Sequence, residues 1–265
     1  MKHVKLQAHK GVASECPENT LSAFLCAAVQ KYDVIELDLN YTLDKKIVVI
    51  HDNTINRTAR HTNGREITNE VCINNITYEQ ALEYDFGLAM SNKFKGEKIP
   101  LFKDVLELAA ANKIRLKIDS KLQSFPDNML DIFFSEIKAY TEYVSITSNS
   151  IEFIKKCKSV LPDISFDYDG KVTEAALKAL RTILPKDKLT VWLPYKCKNT
   201  AWVKLPFADS SAADLVHRYA GLGIWLISKY NDFYDVLNRF NPDIVETDGK
   251  IKSEANCGKI FDMHT

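Results

Sequence analysis

The chain alternates short apolar runs with amphipathic segments along most of its length. The apolar runs have the length and composition of buried strands, and the segments between them carry apolar residues at helical spacing. On this pattern, strands are predicted over 4–8, 34–39, 114–119, 143–147, 164–168, 189–193, 223–227 and 243–247. Helices are predicted over 77–84, 127–140, 173–184, 210–220 and 231–240.

Residue types at the segment ends predict where these helices begin and end. Thr173 and Asn231 stand where their helices should begin, and Gly221 stands where a C′ glycine is expected. Thr77 and Gln80 have the spacing of a capping box. The helix over 127–140 has one apolar face, formed by Met129, Leu130, Phe133, Phe134 and Ile137.

Eight strand–helix alternations in 265 residues predict a single TIM (β/α)8 barrel domain covering 1–265. A doubly wound sheet usually needs a Gly-rich first turn, and the chain has only nine glycines. The polar segment at about 53–100 interrupts the alternation and is predicted to be an insertion. Two interpretations of the insertion stay open: a lobe over the active-site face, or a surface elaboration.

Two carboxylates stand in one otherwise apolar strand. Glu36 and Asp38 are two residues apart, so in an extended strand both side chains point to the same face. Unpaired buried carboxylates cost several kcal/mol. We therefore expect a hard cation to compensate them, because such cations prefer oxygen ligands.

A second strand, 46–50, follows too closely for a parallel crossover and predicts an antiparallel hairpin. With Asp44 and Lys45 as a two-residue turn, His51 would lie opposite Asp38. A slip of one residue would send His51 to the other face. The predicted register brings an imidazole and two carboxylates to one patch, which is the candidate active site.

Other candidate groups follow the ends of predicted strands. The first strand ends at His9 and Lys10, and the third is followed by Asp119 and Lys121. In a TIM barrel these positions meet at the C-terminal face, where active sites are built. Together with His51 they offer a third acid, a second histidine for acid–base catalysis and two cations for an anionic substrate such as a phosphate.

Composition excludes some classes of partner. Lys+Arg and Asp+Glu number 35 each, so no basic excess indicates nucleic-acid binding, and no apolar run approaches a membrane span. The cysteines contain no CxxC pair and are predicted to be free thiols, which favours a cytoplasmic location. They stand at positions 16, 26, 72, 157, 197 and 257.

The motifs around these residues resemble those of the glycerophosphodiester phosphodiesterases over essentially the whole chain. The matching segments are AHKGVASECPENTLSAF (8–24), IELDLNYTLDKKIVVIHD (35–52) followed by Asn56-Arg57-Thr58, GEKIPLFKDVLELA (96–109), DSK (119–121), Trp225 and Thr247-Asp248. The first two segments together are specific.

This resemblance implies a metal-dependent TIM barrel that hydrolyses small glycerophosphodiesters to glycerol 3-phosphate and an alcohol. The implied ligands of a Ca²⁺ or Mg²⁺ ion are Glu36, Asp38 and Asp119. The implied general acid and base, in an order that stays open, are His9 and His51. The implied substrate contacts are Lys10, Lys121 and Trp225.

The sequence departs from the family pattern at substrate-facing positions. Lys10 replaces an arginine and Asp119 replaces a glutamate, while Thr147-Ser148 and Leu226-Ile227-Ser228 replace other family residues. Two alternatives therefore accompany the main prediction. One is phospholipase-D-like cleavage or cyclisation of a lysophospholipid, and the other is a catalytically weakened barrel that binds phosphodiesters.

Overall fold

Eight parallel strands close into a barrel in which each strand pairs with the barrel strand that follows it in the chain. The structure is a computed structural model that describes residues 3–196 and 208–252. The barrel strands are β1 (Lys5–His9), β2 (Val34–Leu37), β7 (Arg115–Ile118), β8 (Val144–Ser148), β9 (Ser165–Tyr168), β10 (Leu189–Pro194), β11 (Gly221–Ile227) and β12 (Ile244–Thr247). Two further pairs join β3 (Leu39–Tyr41) to β4 (Ile47–Val49) and β5 (Arg60–His61) to β6 (Tyr84–Asp85).

The helices lie between the strands and bury one face each. They are α1 (Leu21–Val29), α2 (Tyr78–Ala81), α3 (Phe102–Asn112), α4 (Asp127–Ile137), α5 (Ile151–Val160), α6 (Glu174–Ile183), α7 (Ser210–Tyr219) and α8 (Tyr230–Phe240). Single 3₁₀ turns stand at 73–75, 92–94, 120–124 and 186–188. On α4, all five apolar residues predicted to share a face are buried.

The predicted TIM barrel and all eight of its strands are confirmed, and the helix ends are confirmed in part. Thr173 caps α6, and Thr77 with Gln80 forms the predicted capping box, although α2 is shorter than predicted. The predicted start at Asn231 is wrong, because Lys229 has the extended backbone of the N-cap and the helix begins one residue before Asn231. Gly221 follows the Ala220 C-cap and so stands at C′ as predicted, but it lacks the positive φ of a left-handed cap and already begins β11.

The predicted register of the β3–β4 hairpin is wrong by one residue. The turn contains three residues, not two: Thr42 hydrogen-bonds across it through its backbone and hydroxyl, and Lys45 ends it with a φ of +62°. The extra residue places Ile50 against Asp38, with a hydrogen bond of 3.0 Å from Ile50 N to Asp38 O. His51 therefore is not the partner of Asp38 in the ladder.

The segment from 53 to 100 packs around a small apolar cluster of its own. The cluster is formed by Val48, Ile50, Ile55, Ala59, Ile67, Ile73, Ala81, Phe86 and Ile99. We call this segment the lobe. Val48 of β4 and Ile50, which follows it, belong to this cluster, whereas Ile47 and Val49 of the same strand pack into the main core. That the whole chain forms one domain stays a prediction.

The described cysteines, Cys16, Cys26, Cys72 and Cys157, are free thiols, as predicted. Cys197 and Cys257 lie outside the described residues. Among the helices of residues 3–196 and 208–252, none has the length and apolar character needed to cross a membrane.

Candidate active site

Three carboxylates converge at the C-terminal ends of two neighbouring strands. Glu36 lies on β2, Asp38 follows it, and Asp119 follows β7, which pairs with β2. One oxygen from each carboxylate lies within 4.8 Å of the others. Burial and the charge of Asp38 raise the pKa of Glu36 well above its ordinary value. A divalent cation would offset this repulsion, so the set fits a Ca²⁺ or Mg²⁺ ion.

The turn after β1 holds two of these acids in place. Lys10 N donates to Glu36 Oε2 at 3.0 Å, and Asn19 Nδ2 donates to Asp38 Oδ2 at 2.9 Å. The turn needs Gly11, whose φ is +79° and on which a Cβ would lie 2.7 Å from the Cβ of Ala23. The backbone of the first motif therefore orients the side chains of the second.

Two ammonium groups flank Asp38. Lys10 Nζ lies 4.0 Å from Asp38 Oδ2 and 3.3 Å from Glu18 Oε1. Lys121 Nζ lies 3.5 Å from Asp38 Oδ1 and also donates a hydrogen bond to the carbonyl oxygen of His51. These two ammonium groups offset part of the negative charge of the acids, and an anionic substrate bound here could contact them as well.

Each of the two predicted histidines lies beside an acid at this end of the barrel. His9 Nε2 is 3.9 Å from Glu36 Oε2, and His51 Nδ1 is 2.6 Å from Asp52 Oδ1. Burial alone would raise the pKa of Asp52, but hydrogen bonds from Arg57 and His51 lower it to about 2. The ionised Asp52 accepts only, so Nδ1 of His51 carries the proton and the lone pair of the neutral ring lies on Nε2.

One arginine connects the two halves of the site. Arg57 Nε donates to Asp52 Oδ2 at 2.6 Å, and Arg57 Nη1 donates to Glu18 Oε2 at 2.8 Å. Since Glu18 also holds Lys10, a chain of ion pairs runs from Lys10 to His51. In the sequence these residues belong to or directly follow the matching motifs, but nothing in the sequence indicates that they contact each other.

A polar layer inside the barrel forms the floor of the site. Lys117 Nζ lies 3.3 Å from Glu246 Oε2 and 3.9 Å from the centre of the Trp192 ring. Gln7 also donates to Glu246, and Trp192 Nε1 donates to Asp167 Oδ1 at 2.7 Å. All five side chains are buried. Sequence reasoning missed this layer, because each of its polar residues stands in a different apolar strand.

A further acid, Asp169, lies at the end of β9 and was also missed. Its Oδ1 is buried and has no hydrogen-bond partner among the described residues. Burial raises the pKa of Asp169 to about 6, and the charge of Asp119 adds to the effect.

Seven of the eight predicted site residues thus come together at one end of the barrel. The eighth, Trp225, lies on β11 and is half-buried against a cluster of Val34, Trp192 and Ile244. Its contact with substrate stays a prediction.

A match over more than half of the chain establishes its family. Residues 9–165 match the model of the Glycerophosphoryl diester phosphodiesterase family. The chain belongs to this family. Its matched segment contains the three carboxylates, both histidines and both lysines of the candidate site.

Individual relatives agree with the family assignment. A glycerophosphodiester phosphodiesterase of Caldanaerobacter subterraneus is 34% identical over 161 residues, which cover 59% of this chain and 63% of the relative. Glycerophosphodiester phosphodiesterase 1 of Mus musculus is 30% identical over 258 residues, which cover 88% of this chain and 73% of the relative. The chain thus spans less than two thirds of the first of these two relatives.

Solved structures share the fold. An Oleispira antarctica phosphodiesterase, in complex with the product sn-glycerol-3-phosphate, superposes with a TM-score of 0.73 at 16% identity. The superposition covers 96% of each chain.

Proposed function

We propose that this protein is a phosphoric diester hydrolase that converts glycerophosphodiesters to glycerol 3-phosphate and an alcohol. The observation that carries the proposal is the cluster of Glu36, Asp38 and Asp119 beside two lysines and two histidines. The names of the relatives in the family, and the product bound to the Oleispira antarctica enzyme, support the choice of substrate.

In this proposal the three carboxylates hold a Ca²⁺ or Mg²⁺ ion, which when bound supplies positive charge to a phosphate oxygen. Lys10 and Lys121 approach the same phosphate and stabilise the charge that develops on it. Lys10 acts as a point charge where the family has an arginine.

The free thiols described above support a cytoplasmic location.

His9 and His51 divide the two proton transfers between them. As the oxygen of an attacking water molecule forms its bond to phosphorus, one imidazole takes a proton from that water. If the glycerol 2-hydroxyl of the substrate attacks instead, the first product is a cyclic phosphate, which a water molecule then opens to glycerol 3-phosphate. The bond between phosphorus and the alcohol oxygen breaks, and the other imidazole gives a proton to the departing alkoxide. The hydrogen bond to Asp52 keeps His51 oriented with Nε2 available for this transfer.

The direct test is release of glycerol 3-phosphate from a panel of glycerophosphodiesters, with and without EDTA. We expect EDTA to abolish turnover and added Ca²⁺ or Mg²⁺ to restore it. His51→Ala should lower kcat by about 10²–10⁴-fold, the usual contribution of a general acid or base. The matched control is His61→Ala, which removes an exposed imidazole of the lobe whose ring lies tilted against that of Tyr84.

Turnover that survives chelation would contradict the metal assignment, and undiminished turnover of His51→Ala would contradict the acid–base assignment. Wild-type protein that hydrolyses no member of the panel would contradict the proposed function itself.

A further inference from the structure

A cavity of about 520 Å³ opens between the β3–β4 hairpin, the lobe and the 3₁₀ turn after β7. Its volume lies within the range of small-molecule pockets, about 300–1,000 Å³. The lining residues that matter are Asn40, Asn53, Asn74, Tyr41, Phe125 and Lys121. We call it the amide cavity.

The amide cavity begins where the candidate active site ends. Asn40 stands two residues beyond Asp38, and because side chains alternate along extended backbone, both point to the same face. Lys121 belongs to both the site and the cavity, since its Nζ lies 3.5 Å from Asp38 Oδ1. Asn53 stands two residues beyond His51. The cavity is therefore the outward continuation of the site.

The asparagines of the cavity form a connected network. Asn74 Nδ2 donates to Asn40 Oδ1 at 3.1 Å and to Tyr41 O at 2.9 Å. Asn40 Nδ2 lies 3.4 Å from Asn53 Oδ1. Asn40 is only 6% exposed, so its orientation is fixed by these contacts. A preformed amide surface of this kind suits a ligand that both donates and accepts hydrogen bonds.

The charges of the lining narrow the choice of ligand. Among the described residues that line the cavity, Lys121 is the charged one and no carboxylate is present. A quaternary ammonium group would meet the positive charge of Lys121 with no carboxylate to offset it, and the rings of Tyr41 and Phe125 pack edge to face against each other and into the main core instead of forming an aromatic cage for a cation. An acyl chain would remove water from the amides without replacing their hydrogen bonds. Hydroxyl groups can donate hydrogen bonds to the amides and accept them, and because they are neutral they need no counter-charge.

A second cavity near the site is less suited to an alcohol. It has a volume of about 170 Å³, below the usual range for ligands, and lies between the first loop and the lobe beside the Glu18–Arg57 ion pair. Its walls include Ala13, Pro17 and Phe86.

On the basis of the proposed function, we propose that the amide cavity receives the alcohol part of the diester and that this alcohol is neutral and rich in hydroxyl groups. A polyol such as glycerol satisfies these conditions, and an aminoalcohol such as choline does not. The asparagines would then be residues that determine specificity, without a part in the chemical step.

The experiment compares kcat/KM for glycerophosphoglycerol and glycerophosphocholine, first with the wild-type protein. We expect glycerophosphoglycerol to be preferred by about tenfold or more, because a mispaired polar group in a pocket commonly costs this much. Asn53→Asp then places a carboxylate at the exposed edge of the cavity. We expect it to move the ratio of the two kcat/KM values toward the choline ester by about five- to tenfold.

The matched control is Asn69→Asp, which adds the same charge at an exposed lobe position that does not line the cavity. We expect it to leave the ratio unchanged. A choline preference in the wild-type protein, or equal ratios in the two variants, would overturn the inference while leaving the hydrolase activity standing. Absence of hydrolysis of both esters by the wild-type protein would instead overturn the proposed function on which the inference rests.

Discussion

Asp169 shows how a single side chain at the mouth of the barrel sets a pH dependence of stability. One oxygen of its carboxyl group is buried without a hydrogen-bond partner among the described residues, and burial raises its pKa to about 6. Between about pH 4 and pH 6 the folded protein keeps this proton while the unfolded chain releases it. Stability therefore falls as the pH rises through this window, and the full penalty is present above pH 6.

Replacing this carboxyl group should remove the penalty. We expect Asp169→Asn to increase the free energy of unfolding by about 2 kcal/mol at pH 7.5 and by much less at pH 4, where the native carboxyl is neutral. Urea denaturation at the two pH values measures the difference. Asp163→Asn, at an exposed position, is the control and should change stability little at either pH. An equal effect of Asp169→Asn at both pH values would contradict the assignment.

The position of each site residue in the chain explains whether the sequence alone reveals its role. His9, Glu36 and Asp119 stand at strand ends in recognisable motifs, so the fold alone brings them together. Arg57 was not recognised as a link, because its contacts to Glu18 and Asp52 depend on how the lobe folds back over the first loop. Long-range contacts of this kind have no periodic signature in the chain.

Among the elements, strands were predicted well and their connections less well. Each barrel strand is a short apolar run between polar turns, and this local signal survives folding. The two-residue turn predicted for the hairpin is wrong because Lys45 adopts a left-handed conformation. This conformation is uncommon for a residue other than glycine. Thr42 stabilises that turn through hydrogen bonds across it, and this cooperation is not visible in residue preferences.

Two glycines of one strand should respond differently to the same substitution. In β11, a Cβ on Gly223 would lie 2.5 Å from the ring of Trp192, whereas a Cβ on Gly221 would find no atom nearer than 3.6 Å. We expect Gly223→Ala to lower the free energy of unfolding by about 1–3 kcal/mol, the usual range for overpacking. Gly221→Ala should be neutral or slightly stabilising. Thermal denaturation compares them, and equal losses of stability would contradict the packing argument.

In the whole molecule, the hairpin joins the lobe to the barrel. Alternate residues of β4 enter the lobe cluster and the main core, so neither cluster is complete without this strand. The backbone of Ser22 on α1 also donates to Glu97 Oε1 at 3.3 Å, which ties the end of the lobe to the barrel. We therefore expect the lobe and the barrel to unfold together.

Ile73→Ala tests this coupling, because Ile73 is fully buried in the lobe cluster. We expect a loss of about 2–5 kcal/mol, as for other buried large-to-small changes, and faster exchange of the most protected amides in both the lobe and the barrel strands. Leu43→Ala, at an exposed turn position, is the control. Faster exchange confined to the lobe would show that the lobe opens alone.

The buried layer of Lys117, Glu246 and Trp192 determines the route by which a ligand can reach the site and leave it. These side chains are buried in the barrel interior, so among the described residues the interior is a packed core, as in other TIM barrels, and not a channel. A cavity at the opposite end of the barrel is lined by Gln7 and Asp167, which belong to the same layer. Whatever binds at the carboxylates would therefore enter and leave at the C-terminal face of the barrel and not along the barrel axis.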